Sequence, residues 1–155
     1  RRQPDATGVD SVAFLFSANK NGALQNIAEV ASGGEISRIM LSLKSIIAAA
    51  KALPTLIFDE IDTGVSGTIA ARMADIMADI AGHGRQVISI THLPQIAACG
   101  EHNYRIYKES DDTKTFTTVQ ALDDSQTVDE IARLLGGATI TDVTLQSAKE
   151  LIKNS

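Results

Sequence analysis

Apolar and polar positions alternate along this chain in blocks that define its elements. Val12 to Phe16 (VAFLF) is a short apolar run of β-favouring residues and predicts a strand. Asn19 to Gly22 (NKNG) is a turn signal. After Ser32-Gly33-Gly34-Glu35 the period lengthens. Ile36, Ile39, Met40, Leu43, Ile46, Ile47 and Ala50 recur at helical spacing and mark one continuous face, on a helix that should stop before Pro54. Leu56-Ile57-Phe58 then predicts a buried strand that ends abruptly in Asp59-Glu60. Residues Asp62 to Gly67 (DTGVSG) form a loop, and Ile69, Met73, Ile76, Met77 and Ile80 mark a second helix ending around Gly82 to Gly84.

The second half continues in the same manner. Gln86 to Ile90 predicts a strand that runs into Thr91-His92, and Pro94 to Cys99 a short helix stopped by Gly100. Tyr104 to Lys108 and Thr115 to Leu122 read as strands around the polar turn Glu109 to Lys114. Val128 to Leu135 and Asp142 to Lys153 read as closing helices, with Gly136-Gly137 ending the first. The order helix, strand, helix, strand predicts an α/β layer with a mainly parallel sheet flanked by helices. The last hairpin and two helices should flank that layer. Residues 1–155 show no internal repeat and no dividing linker, and form one unit.

Composition narrows the class without naming it. Of 155 residues, 44% are hydrophobic and 21% charged, which excludes a disordered or collagen-like chain. Aromatics are 4% with no Trp, so the core must consist mostly of aliphatic residues. A net charge of -5 makes a poor stand-alone nucleic-acid binder, because phosphate contacts need clustered Lys and Arg. The single Cys99 rules out an internal disulfide and a Cys-rich zinc site, and fits a reducing compartment. No apolar run approaches the roughly 20 residues of a membrane-spanning helix. The chain opens on Arg1 and its first methionine is Met40. We therefore expect a fragment or processed product whose other part carries half the function.

Candidate chemistry gathers at strand ends. In open α/β sheets ligands bind beyond the carboxyl ends of the strands. Two neighbouring parallel strands ending in Asp59-Glu60 and Thr91-His92 would line one rim with two carboxylates and an imidazole. One carboxylate there can serve Mg²⁺ directly or through water, and the other can orient a water for attack on phosphorus. Alternatively, these acids only cap the following turn. Ser32-Gly33-Gly34-Glu35 fits a capping box, in which Ser32 caps the helix and Glu35 reaches back. The two glycines are poor helix formers, and their use beyond the cap makes sense if a ligand approaches the backbone there. A phosphate at a helix N-terminus would suit them.

The order of these segments adds a resemblance. Ala31-Ser32-Gly33-Gly34-Glu35, the strand ending Asp59-Glu60, the loop Asp62 to Gly67 and Thr91-His92 resemble the signature, Walker B, D-loop and H-loop of ABC-type ATPases, in the family's order. The words ASGGEISRIMLSLK, PTLIFDEIDTGVSG and ITHLPQIAA are most similar to the bacterial SMC-like DNA-repair ATPases, from about Val12 onward. The resemblance implies the C-terminal lobe of an ABC/SMC-type P-loop NTPase head, with ATP and Mg²⁺ as cofactors. Ser32, Gly33 and Gly34 would meet the γ-phosphate of a nucleotide held by an opposing head. Asp59 would serve Mg²⁺ through water, and Glu60 would be the general base. Asp62 would lie in the D-loop at the seam between heads, and His92 would sense the γ-phosphate. The signature opens on Ala31 where many relatives have Leu.

The resemblance further implies ATP hydrolysis between two heads in recombinational repair of DNA double-strand breaks. Its partners would be an N-terminal lobe, a second head in a homodimer, and DNA. Its location would be the cytoplasm, in association with the nucleoid. A Walker A loop needs G-x-x-x-x-G-K-[ST], and none of the 11 glycines is followed by Lys. In this family that loop and a long coiled coil precede these motifs, so the chain alone is expected to be inactive. The glutamine loop has no clear counterpart; Gln25 precedes the signature without fitting context. A non-catalytic head-dimerisation module and an independent Mg²⁺-dependent phosphohydrolase are the competing readings. Glu60 argues against the former and the absent phosphate cradle against the latter. His83 and His102 read as surface residues, Cys99 as a small buried one, and Met73 and Met77 as core. Arg38 fits either a helix-surface ion pair or the nucleotide seam.

Overall fold

The computed structural model describes residues 6, 8–10, 12–17, 20–27, 32–110, 114–137 and 139–155. Ala31, Asn19 and part of the turn between Glu109 and Lys114 lie outside the described residues. The elements are β1 (Leu15–Phe16), β2 (Gln25–Asn26), α1 (Gly33–Lys51), β3 (Thr55–Asp59), α2 (Gly67–Gly82), β4 (Gln86–Ile90) and α3 (Pro94–Ala98). They continue with β5 (Tyr104–Ser110), β6 (Thr115–Ala121), α4 (Asp124–Gly136) and α5 (Asp142–Lys153).

The central unit is the pair β3 and β4, parallel and in register from Thr55 beside Gln86 to Asp59 beside Ile90. Pairing in parallel sets side chains of adjacent residues on the same face. Leu56 and Phe58 point inward with Val87, while Ile57, Ile88 and Ile90 point outward. Helix α2 covers the inner face with Ala70, Met73, Ala74, Met77 and Ile80. A side chain buried as fully as Phe58 contributes about 1.5–3 kcal/mol through removal of its surface from water. Helix α3 joins this core to a second one. Its Ile96 packs into the first, and its Ala98 packs with Ile131, Ala132 and Ala148 of α4 and α5. The antiparallel hairpin β5–β6 is tied to α4 by Arg105, whose Nε lies 3.4 Å from Glu130.

The layer strands β3 and β4 are parallel as expected, and β5–β6 is the expected antiparallel hairpin beside them; a further short antiparallel pair is β1–β2. Two expectations need correction. The run Val12 to Phe16 is strand only at Leu15–Phe16, paired with Gln25–Asn26, and Val12 and Phe14 are exposed. The second concerns α1. It forms where its period predicted and stops at Ala52, which takes the left-handed conformation (φ 48°) two residues before Pro54. The side it buries is Gly34, Leu41 and Ala48, not the isoleucine-rich face. Ile36, Met40, Leu43, Ile46 and Ile47 stay exposed, Ile46 to 65%. Small residues at Gly34 and Ala48 allow close approach to the layer, whereas the branched side chains stand off it. The Lys44 ammonium locks this rotation, donating to the Ile57 carbonyl at 3.0 Å and lying 5.2 Å from the Phe58 ring centroid. No helix among the described residues is long and apolar enough to cross a membrane.

Candidate functional site

The ends of β3 and β4 stand side by side, so the predicted rim exists. Asp59 closes β3 and is exposed. Glu60 follows, with its N–H donating to the Ile90 carbonyl at 3.1 Å, which continues the parallel ladder by one bond. Its φ is 46°, a left-handed conformation that costs a non-glycine residue about 1–2 kcal/mol. The turn holds it there: the Glu60 carbonyl accepts from the Thr63 N–H at 3.3 Å and from the Thr63 hydroxyl at 3.0 Å. Backbone strain of this kind concentrates at functional positions. Glu60 itself is exposed.

Asp62 lies in the loop after β3 and is fully buried, at 0% exposure. Oδ2 accepts a short hydrogen bond from the Thr91 hydroxyl and one from the His92 N–H at 3.2 Å. The His92 Nδ1 lies 3.5 Å from the same oxygen. Thr91 in turn accepts from the Leu93 N–H at 3.0 Å. The loop leaving β4 is therefore built around a carboxylate supplied by the loop leaving β3. His92 itself projects outward with 63% of its side chain exposed. Sequence reasoning gave Thr91 no role, because its partner is distant in the chain and no local pattern announces it.

The N-terminus of α1 carries the predicted capping box in full. The Ser32 N–H and hydroxyl both donate to Glu35 Oε2 at 2.8 Å, and the Ser32 hydroxyl accepts from the Glu35 N–H at 3.4 Å. The Ser32 N–H, then its hydroxyl, hold the Glu35 carboxyl below the ordinary glutamate value, with a smaller pull from Arg38. Gly33 is exposed and open, and nothing lies within 4 Å of where its Cβ would be. Gly34 is buried, and a Cβ there would sit 2.9 Å from the Gly64 carbonyl oxygen. This contact joins the signature segment to the loop after β3. Gly64, whose φ is +72°, was legible only as a turn residue.

Thus Asp59, Glu60, Asp62 and His92 converge at one rim, and Ser32, Gly33 and Gly34 reach the same loop through Gly64. His83 and His102 are exposed and separate from it, and Cys99 is half-buried. Among the described residues no three His, Cys, Asp or Glu side chains cluster as a metal site. The chain by itself can supply a carboxylate or two to a cation. That fits Mg²⁺, which commonly takes one or two carboxylates and completes its shell with waters and phosphate oxygens.

Comparisons with known proteins bear on this arrangement. No protein-family model matches the chain. The "DNA repair protein RecN" of Vibrio cholerae is 47% identical over 145 residues, which is 94% of this chain. The RecN of Bacillus subtilis is 44% identical over 148 residues, 96% of this chain, and that of Deinococcus radiodurans 39% over 150 residues, 97% of it. Over nearly all its length, the chain is homologous to RecN. It spans about a quarter of these relatives, 26% of each. A solved structure reported under "Structural biochemistry of ATP-driven dimerization and DNA stimulated activation of SMC ATPases" superposes with a TM-score of 0.57. It covers 77% of this chain and 70% of that one, at 21% identity. The fold is therefore α/β of the SMC ATPase head type.

Proposed function

We propose that this chain is the C-terminal lobe of a RecN-like ATPase head that binds and hydrolyses ATP between two heads in repair of DNA double-strand breaks. The observation that carries this reading is the rim itself. A strained Glu60 and an outward His92 sit at adjacent ends of a parallel strand pair, and the Ser32-Gly33-Gly34 helix end is packed onto the same loop. Glu60 accepts a proton from the attacking water. His92 would meet the γ-phosphate, and Asp59 would hold Mg²⁺ through water. Mg²⁺ bound with the nucleotide supplies neutralisation of phosphate charge. The helix end at Ser32, Gly33 and Gly34 would face a nucleotide of the opposing head, the Ser32 hydroxyl exchanging its Glu35 partner for phosphate.

The outward apolar surfaces support a further lobe. Ile57, Ile88 and Ile90 on the sheet and Ile46 and Ile47 on α1 are exposed in this chain, and such areas mark interaction surfaces. An N-terminal lobe carrying the Walker A loop would cover them. This assembly, its homodimer and its DNA are parts of the same proposal, as is its place in the cytoplasm at the nucleoid.

Reconstitution tests it. The chain is mixed with an N-terminal RecN half bearing a Walker A loop, and ATP hydrolysis is followed with Mg²⁺, with and without DNA. Hydrolysis should require both parts. Tight, stoichiometric ATP binding by this chain alone, measured by calorimetry, contradicts the proposed division of labour.

A further inference from the structure

The buried carboxylate of Asp62 is an expensive feature for a loop. A buried ionisable group away from water costs free energy unless its polar atoms are satisfied. Here Oδ2 takes the Thr91 hydroxyl and the His92 N–H, while the buried Oδ1 has no hydrogen-bond partner among the described residues. Loop closure alone could be served by an Asn or a Ser without an interior charge. The charge lies where it faces one functional group, since His92 Nδ1 is 3.5 Å from Oδ2.

Resting on the head reading above, we infer that Asp62 is a positioning residue for His92. It acts from within the chain rather than by touching a nucleotide across a seam. The carboxylate fixes the His92 backbone through its N–H and braces the loop through Thr91. The same carboxylate also stands 3.5 Å from the ring at Nδ1. Because Asp62 follows Glu60 by two residues, the same carboxylate links the loop of the general base to the loop of the histidine. A shift of one loop is carried to the other.

The test is a double-mutant cycle in a full-length RecN protein carrying these residues, read as steady-state ATP hydrolysis. Asp62→Asn keeps the shape of the side chain and removes its charge. It should lower kcat by about 10- to 100-fold, the range for losing a group that orients a functional histidine, with KM for ATP moving less than about threefold. In a His92→Ala background the same substitution should change kcat by less than about twofold, because groups that act as a unit are not additive. Losses that multiply in the double variant, or a D62N enzyme at the parent rate, overturn the inference and leave the head reading standing. A His92→Ala enzyme at the parent rate removes the role of His92 and this inference with it. If D62N does not fold, Thr91→Val enters the same cycle, since it removes one of the ties that hold the carboxylate, and the same outcomes decide.

Discussion

The backbone of Gly34 lies directly against that of Gly64, so close that a Cβ on Gly34 would stand 2.9 Å from the Gly64 carbonyl oxygen and 3.3 Å from its carbon. Backbone cannot retreat as a flexible side chain can. Gly34→Ala should therefore push the loop after β3 away from α1 and destabilise the protein by about 1–3 kcal/mol, the range for overpacking. Gly33→Ala has open space around it and should be neutral or stabilising by up to about 1 kcal/mol, since Ala favours helix. Urea unfolding of the two variants in the full-length protein separates them. Equal stabilities would mean that the contact does not constrain the loop.

Glu60→Gln in the full-length protein should keep ATP binding and lose turnover by roughly 10²- to 10⁴-fold, the worth of general-base catalysis. ATP should then hold the head dimer together, visible as doubled mass by light scattering. Glu60→Gly adds a different reading of the same position. It should relieve the left-handed strain and raise stability by about 1 kcal/mol while also losing turnover. Hydrolysis at the parent rate by Glu60→Gln would show that another group is the base.

Ser32 carries two separable roles. Loss of the cap in Ser32→Ala should cost about 0.5–2 kcal/mol of stability. Ser32→Arg should in addition block ATP-driven head pairing, because its bulk keeps a phosphate from the Gly33 N–H. Thermal melting and light scattering, the latter in a Glu60→Gln background with ATP and Mg²⁺, are measured on one preparation. Normal dimers with reduced stability would leave Ser32 as a helix cap alone.

The capping box also predicts a pH dependence. The Ser32 N–H and hydroxyl, with Arg38 adding less, hold the Glu35 carboxyl below its ordinary value of 4.5. A carboxyl lowered by folding stabilises the native state above that value, and the contribution is lost as pH falls through its folded value. Glu35→Gln can still close the box but cannot titrate. The melting-temperature gap between parent and variant should be widest above pH 4.5 and narrow below it. A gap constant with pH would mean that the Glu35 charge contributes nothing to the cap.

Much of this protein is written locally. Strand Gln86–Ile90 and helix Asp142–Lys153 appear with the bounds their sequence implied. The capping box at Ser32 and Glu35 needs only four consecutive residues, and the acids at the end of β3 need only their place after an apolar run. Such features depend on short-range sterics and hydrogen bonds, which the order of residues fixes. What the tertiary structure decided are relations between distant segments. The isoleucine face of α1 is apolar by sequence, yet Gly34, Leu41 and Ala48 face the layer, because small residues permit close packing and periodicity cannot specify which neighbour a helix meets. The role of Gly34 follows from Gly64, which belongs to another loop. The sequence offered Asp62 a place at the seam only through the family resemblance; that parallel pairing of β3 with β4 sets Thr91 and His92 against its carboxylate is a tertiary outcome, since these partners are distant in the chain and no local pattern announces them.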